Sequence, residues 1–151
     1  MKDRPLIAVV DDDQSVREAL ENLISSVGFE VKLFASGEAF LESDVPLHTD
    51  CAVLDVCLPG ISGFELQRKL VADGHSIPTI IITAQDDERA HAEAVIVGAI
   101  AFIKKPFRED ALLTALASAL KRKLQSINEL AQTETGLSSY EVSNTRKRES
   151  K

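Results

Sequence analysis

Five short runs of apolar, often β-branched residues constrain the fold of this chain more than any other feature. They occupy residues 6–10, 31–34, 52–56, 79–83 and 99–103. Nearly continuous apolar runs of this length are typical of strands that are covered on both faces, as in a parallel sheet. The sequence therefore predicts five strands of a mainly parallel sheet.

Segments with helical spacing separate the five runs. The first has one apolar stripe at i, i+3 and i+4, which Gly28 ends, and its members are Val16, Ala19, Leu20, Leu23, Ile24 and Val27. Further helices are predicted at about 37–43, 63–72, 87–97 and from 109 onward. Five strand–helix units in this order predict a doubly wound α/β fold with helices on both faces of the sheet.

Composition limits the class of protein. The chain has 151 residues, of which 44% are hydrophobic and 27% charged, so it suits one globular domain with a short appendage. The net charge of −7 argues against nucleic-acid binding by charge alone. No apolar stretch approaches the roughly 20 residues of a membrane span. The N-terminal apolar run ends in aspartates, unlike a secretory signal, and we expect a cytoplasmic protein.

The two cysteines, Cys51 and Cys57, bracket the third apolar run. A strand between them would hold the two sulfur atoms too far apart to bond. Neither has the histidine spacing of a zinc site nearby. We therefore expect two reduced thiols.

Polar side chains stand where the predicted strands end. In doubly wound sheets the functional site lies beyond the carboxyl ends of the strands. The residues at those ends are Asp11 and Asp12, Asp55, Thr83, and Lys104 and Lys105. Because successive strand side chains alternate faces, only one of the two lysines points inward. The consecutive carboxylates Asp11, Asp12 and Asp13 repel one another unless water or a cation neutralises them.

These residues lie in motifs that resemble those of the response-regulator receiver domain of two-component signalling. The matching segments are VVDDD (9–13), LDVCLPGISG (54–63), ITA (82–84) and FIKKPF (102–107), in the family's order and at similar spacings. EVKLFASGEAFL and GAIAFIKKPF are most similar to the FixJ-type branch. The resemblance covers about residues 5–121. It implies a flavodoxin-like fold with five helices and the strand order 2-1-3-4-5.

The resemblance also implies a phosphoacceptor site. Asp55 would accept a phosphoryl group from a phosphohistidine of a sensor histidine kinase or phosphotransfer protein. Asp12, Asp55 and the backbone carbonyl of Cys57 would bind Mg²⁺ (or Mn²⁺) directly, with Asp11 helping through a water molecule. Hard oxygen ligands are those that this ion prefers. Asp13 either lies near the metal or caps the first helix, and capping is the preferred interpretation.

The same resemblance implies a conformational switch that phosphorylation triggers. Lys105, which precedes Pro106 across a cis peptide bond in the family, would pair with a phosphoryl oxygen. Thr83 would hydrogen-bond another, and Phe102 would turn inward as Thr83 moves. The face formed by the fourth helix, the fifth strand and the fifth helix would then change its affinity for a downstream protein or a second copy of the chain.

Two segments bear on partners and domain boundaries. Val95, Ile96 and Val97 are consecutive in a predicted helix and cannot all face the core, so Ile96 is expected at the surface. The stripe of the last helix continues past the receiver, predicted at 1–121, and indicates either a helical extension over 122–135 or a frayed linker. Residues 136–151 are polar and predicted to be disordered. The three histidines (His48, His75 and His91) have no motif around them and are expected at the surface.

The leading hypothesis is a stand-alone signalling switch that catalyses only its own phosphorylation and dephosphorylation and is not a dedicated enzyme. A phosphate sink and the receiver fragment of a DNA-binding regulator remain as alternatives. An Asp-nucleophile phosphohydrolase is disfavoured, although Asp11 and Asp13 meet its Asp-x-Asp spacing. A nucleotide-binding Rossmann protein is disfavoured because no glycine-rich turn follows the first strand.

Overall fold

A computed structural model describes residues 4–84 and 87–121 of the chain. Five strands are present in the described part: β1 (Leu6–Val10), β2 (Glu30–Phe34), β3 (Cys51–Asp55), β4 (Thr79–Thr83) and β5 (Ala101–Lys104). They form one sheet in the order β2-β1-β3-β4-β5, and every pairing is parallel. The predicted fold class and strand order are confirmed.

The helices follow the strands as the sequence predicts. They are α1 (Gln14–Ser26), α2 (Gly37–Glu42), α3 (Gly63–Ala72) and α4 (Glu88–Ile96), followed by α5, which is helical over 109–121. A four-residue 3₁₀ helix, Val45–His48, was not predicted. The segments predicted at 122–135 and 136–151 lie outside the described residues.

Both faces of the sheet are covered by helices. On one face α1 and α5 pack against side chains such as Ile7 and Val53, and on the other α2, α3 and α4 pack against Ala8 and Leu54. Successive residues of β1 therefore enter different cores, and all five are buried. Burying such an aliphatic side chain stabilises the fold by roughly 1.5–3 kcal/mol. This two-sided burial is the reason that the strand sequences are continuously apolar.

The fifth strand begins two residues later than predicted. Residue 99 still belongs to the turn that ends α4, because the Ala99 N–H donates to the carbonyl oxygen of Ala94 at 2.9 Å. Gly98, with φ of 82°, makes the turn that permits this bond. The strand consequently runs to Lys104, which leaves Lys105 at the start of the loop that follows.

Other sequence expectations are settled by the described residues. Cys51 is buried and Cys57 exposed, and both carry reduced thiols, as predicted. Burial raises the pKa of the Cys51 thiol to about 12. Among the described residues, none of the helices has both the length and the apolar character that crossing a bilayer requires.

Candidate functional site

Three carboxylates converge at the carboxyl ends of β1 and β3. Asp11 and Asp12 follow β1 and Asp55 ends β3, and these strands are neighbours in the sheet. One carboxylate oxygen from each residue lies within 4.8 Å of the others. Asp11 and Asp55 are only 1% and 5% exposed, whereas Asp12 is open to solvent. The acid cluster, defined here as Asp11, Asp12 and Asp55, thus has a buried floor and an accessible side.

The ammonium group of Lys105 joins the two buried carboxylates. Its Nζ lies 2.7 Å from Asp11 Oδ2 and 2.8 Å from Asp55 Oδ2, and its side chain is 17% exposed. The Lys105 N–H donates to the Thr83 carbonyl oxygen at 2.8 Å, which fixes the start of the loop. Lys104 is exposed, so only one of the two lysines points inward, as predicted from strand alternation; that this lysine is Lys105, and that the Lys105–Pro106 peptide bond is cis, agree with the resemblance.

The electrostatics of these groups follow from their burial and their pairing. Burial raises the pKa of Asp11, and hydrogen bonds from Lys105 and from the Asp13 N–H only partly offset the effect. Burial alone would lower the pKa of Lys105, but its bonds to Asp11 and Asp55 outweigh this and leave that pKa raised. The lysine is therefore protonated at neutral pH, and ionised Asp11 is stabilised by positive charge nearby.

The donor set fits a small divalent cation. Three clustered carboxylates and one ammonium group carry a formal charge of −2 when all are ionised. Carboxylate and carbonyl oxygens are the hard ligands that Mg²⁺ and Mn²⁺ prefer. A cation at the accessible side, next to Asp12, would also offset the repulsion between the carboxylates.

The third aspartate after β1, Asp13, has a different task. Its side chain accepts hydrogen bonds from the N–H groups of Ser15 and Val16, at 2.9 and 3.4 Å, and it is the N-cap of α1. Bonds from Ser15 lower its pKa. The preferred interpretation of Asp13 as a cap is confirmed. Arg17, one turn into the same helix, donates to the Asp11 carbonyl oxygen at 2.7 Å and holds the backbone of the acid cluster.

The segment after β3 lies directly against Asp55. The Cys57 N–H donates to Asp55 Oδ1 at 3.1 Å, so both oxygens of this carboxylate have a donor. Gly63 begins α3 so close to the strand that a Cβ atom there would lie 2.2 Å from the Asp55 carbonyl oxygen. Only glycine permits this approach of the two backbone segments.

Thr83 and Phe102 lie in the neighbouring strands. Thr83 ends β4, between β3 and β5, and is fully buried. Phe102 is half-buried in β5, with its ring centroid 3.9 Å from that of His91 in α4. His91 is exposed, as predicted, but no pattern in the sequence indicated this ring contact.

Two further features escaped the sequence analysis. The Glu38 carboxylate in α2 accepts a hydrogen bond from the Ile61 N–H at 3.0 Å, and the separation of 23 positions in the chain hides this contact from any local pattern. A hollow of about 460 Å³ lies beside the acid cluster. It is mainly apolar and is lined by Ser15, Val16, Ala19, Ala84, Lys105, Pro106 and Phe107.

Comparisons with known proteins agree with this geometry. The family model described as the response regulator receiver domain matches residues 7–117. The response regulator protein TmoT of Ectopseudomonas mendocina is 43% identical over 136 residues, which cover 90% of this chain and 62% of TmoT. The transcriptional regulatory protein FixJ of Azorhizobium caulinodans is 40% identical over 131 residues, which cover 86% of this chain and 62% of FixJ.

A solved structure of the response regulator StyR superimposes with a TM-score of 0.80 at 40% identity, over 95% of this chain and 72% of StyR. A receiver domain protein from Methanospirillum hungatei, 23% identical, superimposes with a TM-score of 0.75 over 82% of this chain and 98% of its own, and supports the fold alone. The chain spans less than two thirds of the length of TmoT and FixJ.

Proposed function

The chain belongs to the response regulator receiver domain family of two-component signalling, and from this premise we propose that Asp55 accepts a phosphoryl group and thereby switches the affinity of the chain for a partner. The observation that carries the proposal is the shared contact of Lys105 with Asp11 and Asp55 at the acid cluster. This arrangement combines a nucleophile, oxygen ligands for a cation and a fixed positive charge at one place.

In the proposed reaction an oxygen of Asp55 attacks the phosphorus of a phosphohistidine. A new O–P bond forms as the N–P bond of the donor breaks, and the imidazole leaves with that electron pair and takes up a proton. Lys105, 2.8 Å from Asp55 Oδ2, is placed to transfer its hydrogen bond from the carboxylate to a phosphoryl oxygen. The apolar hollow beside Lys105 is suited to a side chain of the donor protein, a sensor histidine kinase or phosphotransfer protein.

The acid cluster and the backbone carbonyl of Cys57 would hold the divalent cation in this proposal. Asp12 and Asp55 would bind Mg²⁺ or Mn²⁺ directly and Asp11 through water. The bound ion would offset the negative charge of the transferring phosphoryl group. The positive charge of the ion would also stabilise the ionised form of the buried Asp11 carboxylate.

Phosphorylation would act through β4, β5 and α4. The phosphoryl group adds negative charge and three acceptor oxygens, which would attract Thr83 and Lys105. An inward turn of Phe102 would break its ring contact with His91 and so alter α4. On α4, Val95 and Ile96 are 78% and 76% exposed, and they give this face apolar surface for a downstream protein or a second copy of the chain.

The proposal describes a cytoplasmic signalling switch and not a dedicated enzyme. Asp13 supports this distinction, because its side chain is engaged as the cap of α1 and leaves the Asp-x-Asp pair of a phosphohydrolase incomplete. The relatives named TmoT and FixJ are longer than the matched region, so an adaptor, a phosphate sink and the receiver of a DNA-binding regulator remain separate candidates for the output. The net charge of −7 argues against nucleic-acid contact by this chain itself.

Intact mass measurement tests the chemistry. We expect the protein incubated with Mg²⁺ and acetyl phosphate to gain one phosphoryl group, and the Asp55→Asn variant or a magnesium-free sample to gain none. Asp73→Asn, an exposed aspartate that ends α3, is the matched control and should be modified like the wild type. Equal modification of the Asp55→Asn variant, or no adduct on the folded wild type, would refute the proposal.

Size-exclusion chromatography tests whether the exposed apolar surface of α4 mediates association. If phosphorylation produces a larger species, Ile96→Glu should abolish that species without changing the mass adduct, because it places charge on the exposed apolar surface of α4. Val71→Glu, which alters an exposed apolar residue of α3, is the control. Loss of the larger species in both variants would argue against a specific role of α4.

A further inference from the structure

The loop between β3 and α3, residues 56–62, contains Cys57 and is shaped by a tight turn. Pro59 and Gly60 stand at its centre, and Gly60 has φ of 74°, as the second central residue of a type II turn requires. Within the loop the Leu58 N–H donates to the Val56 carbonyl oxygen at 3.1 Å, and Gly63 N–H donates to the same oxygen at 3.0 Å. These bonds close the base of the loop next to Asp55.

A different helix holds the tip of the loop. Glu38, in the first turn of α2, accepts the Ile61 N–H at 3.0 Å with Oε2. The same carboxylate lies close against the turn, so that a Cβ atom on Gly60 would be 2.2 Å from Oε2. Beside it, a Cβ atom on the buried Gly37 would be 2.9 Å from Ile61 Cδ1. The first turn of α2 and the loop tip are therefore fitted closely to each other.

We propose that Glu38 is a positioning residue for the divalent cation, which acts by holding this loop in the conformation that presents the Cys57 backbone carbonyl to the acid cluster. The inference rests on the proposed function, since it assumes that a cation binds there. A carbonyl ligand on a loop that is already ordered loses less conformational entropy on binding than one on a loose loop. Residues that do not bind a metal themselves commonly raise its affinity by orienting the groups that do.

Four variants separate the hydrogen bond from the charge of Glu38. Glu38→Ala removes both, Glu38→Gln keeps an acceptor oxygen at full reach without the charge, and Glu38→Asp keeps the charge but withdraws it by one methylene. Glu42→Ala removes a charge from the same helix one turn further along and is the matched control. Thermal unfolding followed by circular dichroism verifies that each variant is folded.

The measurement is the Kd for Mn²⁺, obtained from the electron paramagnetic resonance signal of the free ion. We expect Glu38→Ala and Glu38→Asp to weaken binding about tenfold, and Glu38→Gln and Glu42→Ala to match the wild type. With acetyl phosphate, the same two weakened variants should require more Mg²⁺ but reach the wild-type rate of phosphorylation when Mg²⁺ saturates. If Glu38→Ala does not fold, the comparison of the Gln and Asp variants carries the test.

The outcomes distinguish this inference from the proposal beneath it. Equal Kd values for all Glu38 variants, with a wild type that binds Mn²⁺ and loses it in Asp12→Asn, would overturn the role of Glu38 alone. A Glu38→Gln variant as weak as Glu38→Ala would show that charge and not the loop contact matters, which also overturns it. A wild type that binds no Mn²⁺ would overturn the cation site and this inference together.

Discussion

Replacing Lys105 by methionine should destabilise the cation-free protein at neutral pH, and either acid or Mg²⁺ should relieve the loss. Methionine is unbranched and similar in length, so it removes the charge with little change in volume. The Lys105 ammonium group contacts Asp11 and Asp55 at 2.7 and 2.8 Å, and both carboxylates are buried. The variant would leave two buried carboxylates without this partner.

The contact distances of Lys105 determine how much unfolding free energy the variant should lose. With an effective dielectric constant of about 20, two unit charges at the 2.7 Å of the Lys105–Asp11 contact attract by about 6 kcal/mol. Burial costs each ion several kcal/mol of hydration, and removing one member of a buried pair typically costs 3–5 kcal/mol. Because the side of the site next to Asp12 is open to water, we expect a loss of about 3 kcal/mol at pH 7.

The pH dependence follows from Asp11. Burial already raises its pKa above the ordinary 3.8, and the variant removes the Lys105 bond that opposes this rise. A carboxyl whose pKa is higher in the folded state than in the unfolded state binds protons on folding, so stability falls as pH rises through the folded pKa. The deficit of the variant should therefore be largest at neutral pH and should shrink as pH falls toward 3.8.

Urea unfolding at pH 7.5 and pH 4.5, with and without Mg²⁺, measures these differences. Mg²⁺ should restore much of the lost stability because it replaces the missing positive charge. Lys104→Met, which alters the exposed neighbouring lysine, should change the unfolding free energy by less than about 0.5 kcal/mol. A deficit that is the same at both pH values and insensitive to Mg²⁺ would refute the electrostatic reasoning and indicate a packing role for Lys105.

Three further changes test other parts of the structure. Gly63→Ala would place a Cβ atom 2.2 Å from the Asp55 carbonyl oxygen, and a displacement of about 1 Å there should slow phosphorylation by acetyl phosphate about 100-fold. Gly74→Ala, where an added Cβ atom would meet no neighbouring atom, should not affect this rate, although the φ of 84° at Gly74 strains the backbone of the variant. Asp13→Ala should lower the melting temperature above pH 3.8. Because the pKa of Asp13 is lowered in the folded state, the difference in melting temperature from wild type should fade as pH falls below 3.8. Asp13→Asn keeps a capping side chain and should not show this pH dependence. Gln67→Leu, which removes buried hydrogen bonds to β4 and to the end of α4, should cost about 1–3 kcal/mol in urea unfolding, and an unchanged midpoint would contradict that role.

The accuracy of the sequence-based fold depended on how sharply each apolar run ends. The bounds of β1 and β4 were predicted to the residue because their apolar runs end sharply, whereas β3, which is equally buried, begins and ends one residue earlier than predicted. The start of β5 was misplaced because Ala99 is apolar but belongs to the turn that ends α4. The 3₁₀ helix Val45–His48 is too short to show any periodicity.

In the candidate site, too, some contacts were predicted from the sequence and others were not. Asp11, Asp55 and Lys105 were predicted to meet because they follow strands of one parallel sheet, and the structure brings them within hydrogen-bonding distance. Glu38 was missed because its role depends on how α2 meets a loop 23 residues away. The buried position of Gln67 could have been predicted, since this polar residue stands three positions after Phe64 and three before Leu70 on a buried helical stripe.

The two ion pairs of Lys105 also determine when the molecule acquires its site during folding. They join residues 94 and 50 positions apart in the chain, and the strand pairings of the parallel sheet join residues 21 to 44 positions apart. Long-range pairings of this kind form slowly, because loop closure precedes any stabilising contact. An emerging chain that has not yet added β5 beside β4 has no ammonium group at the acid cluster. The proposed phosphoacceptor site would therefore be complete only once the last strand of the sheet is in place.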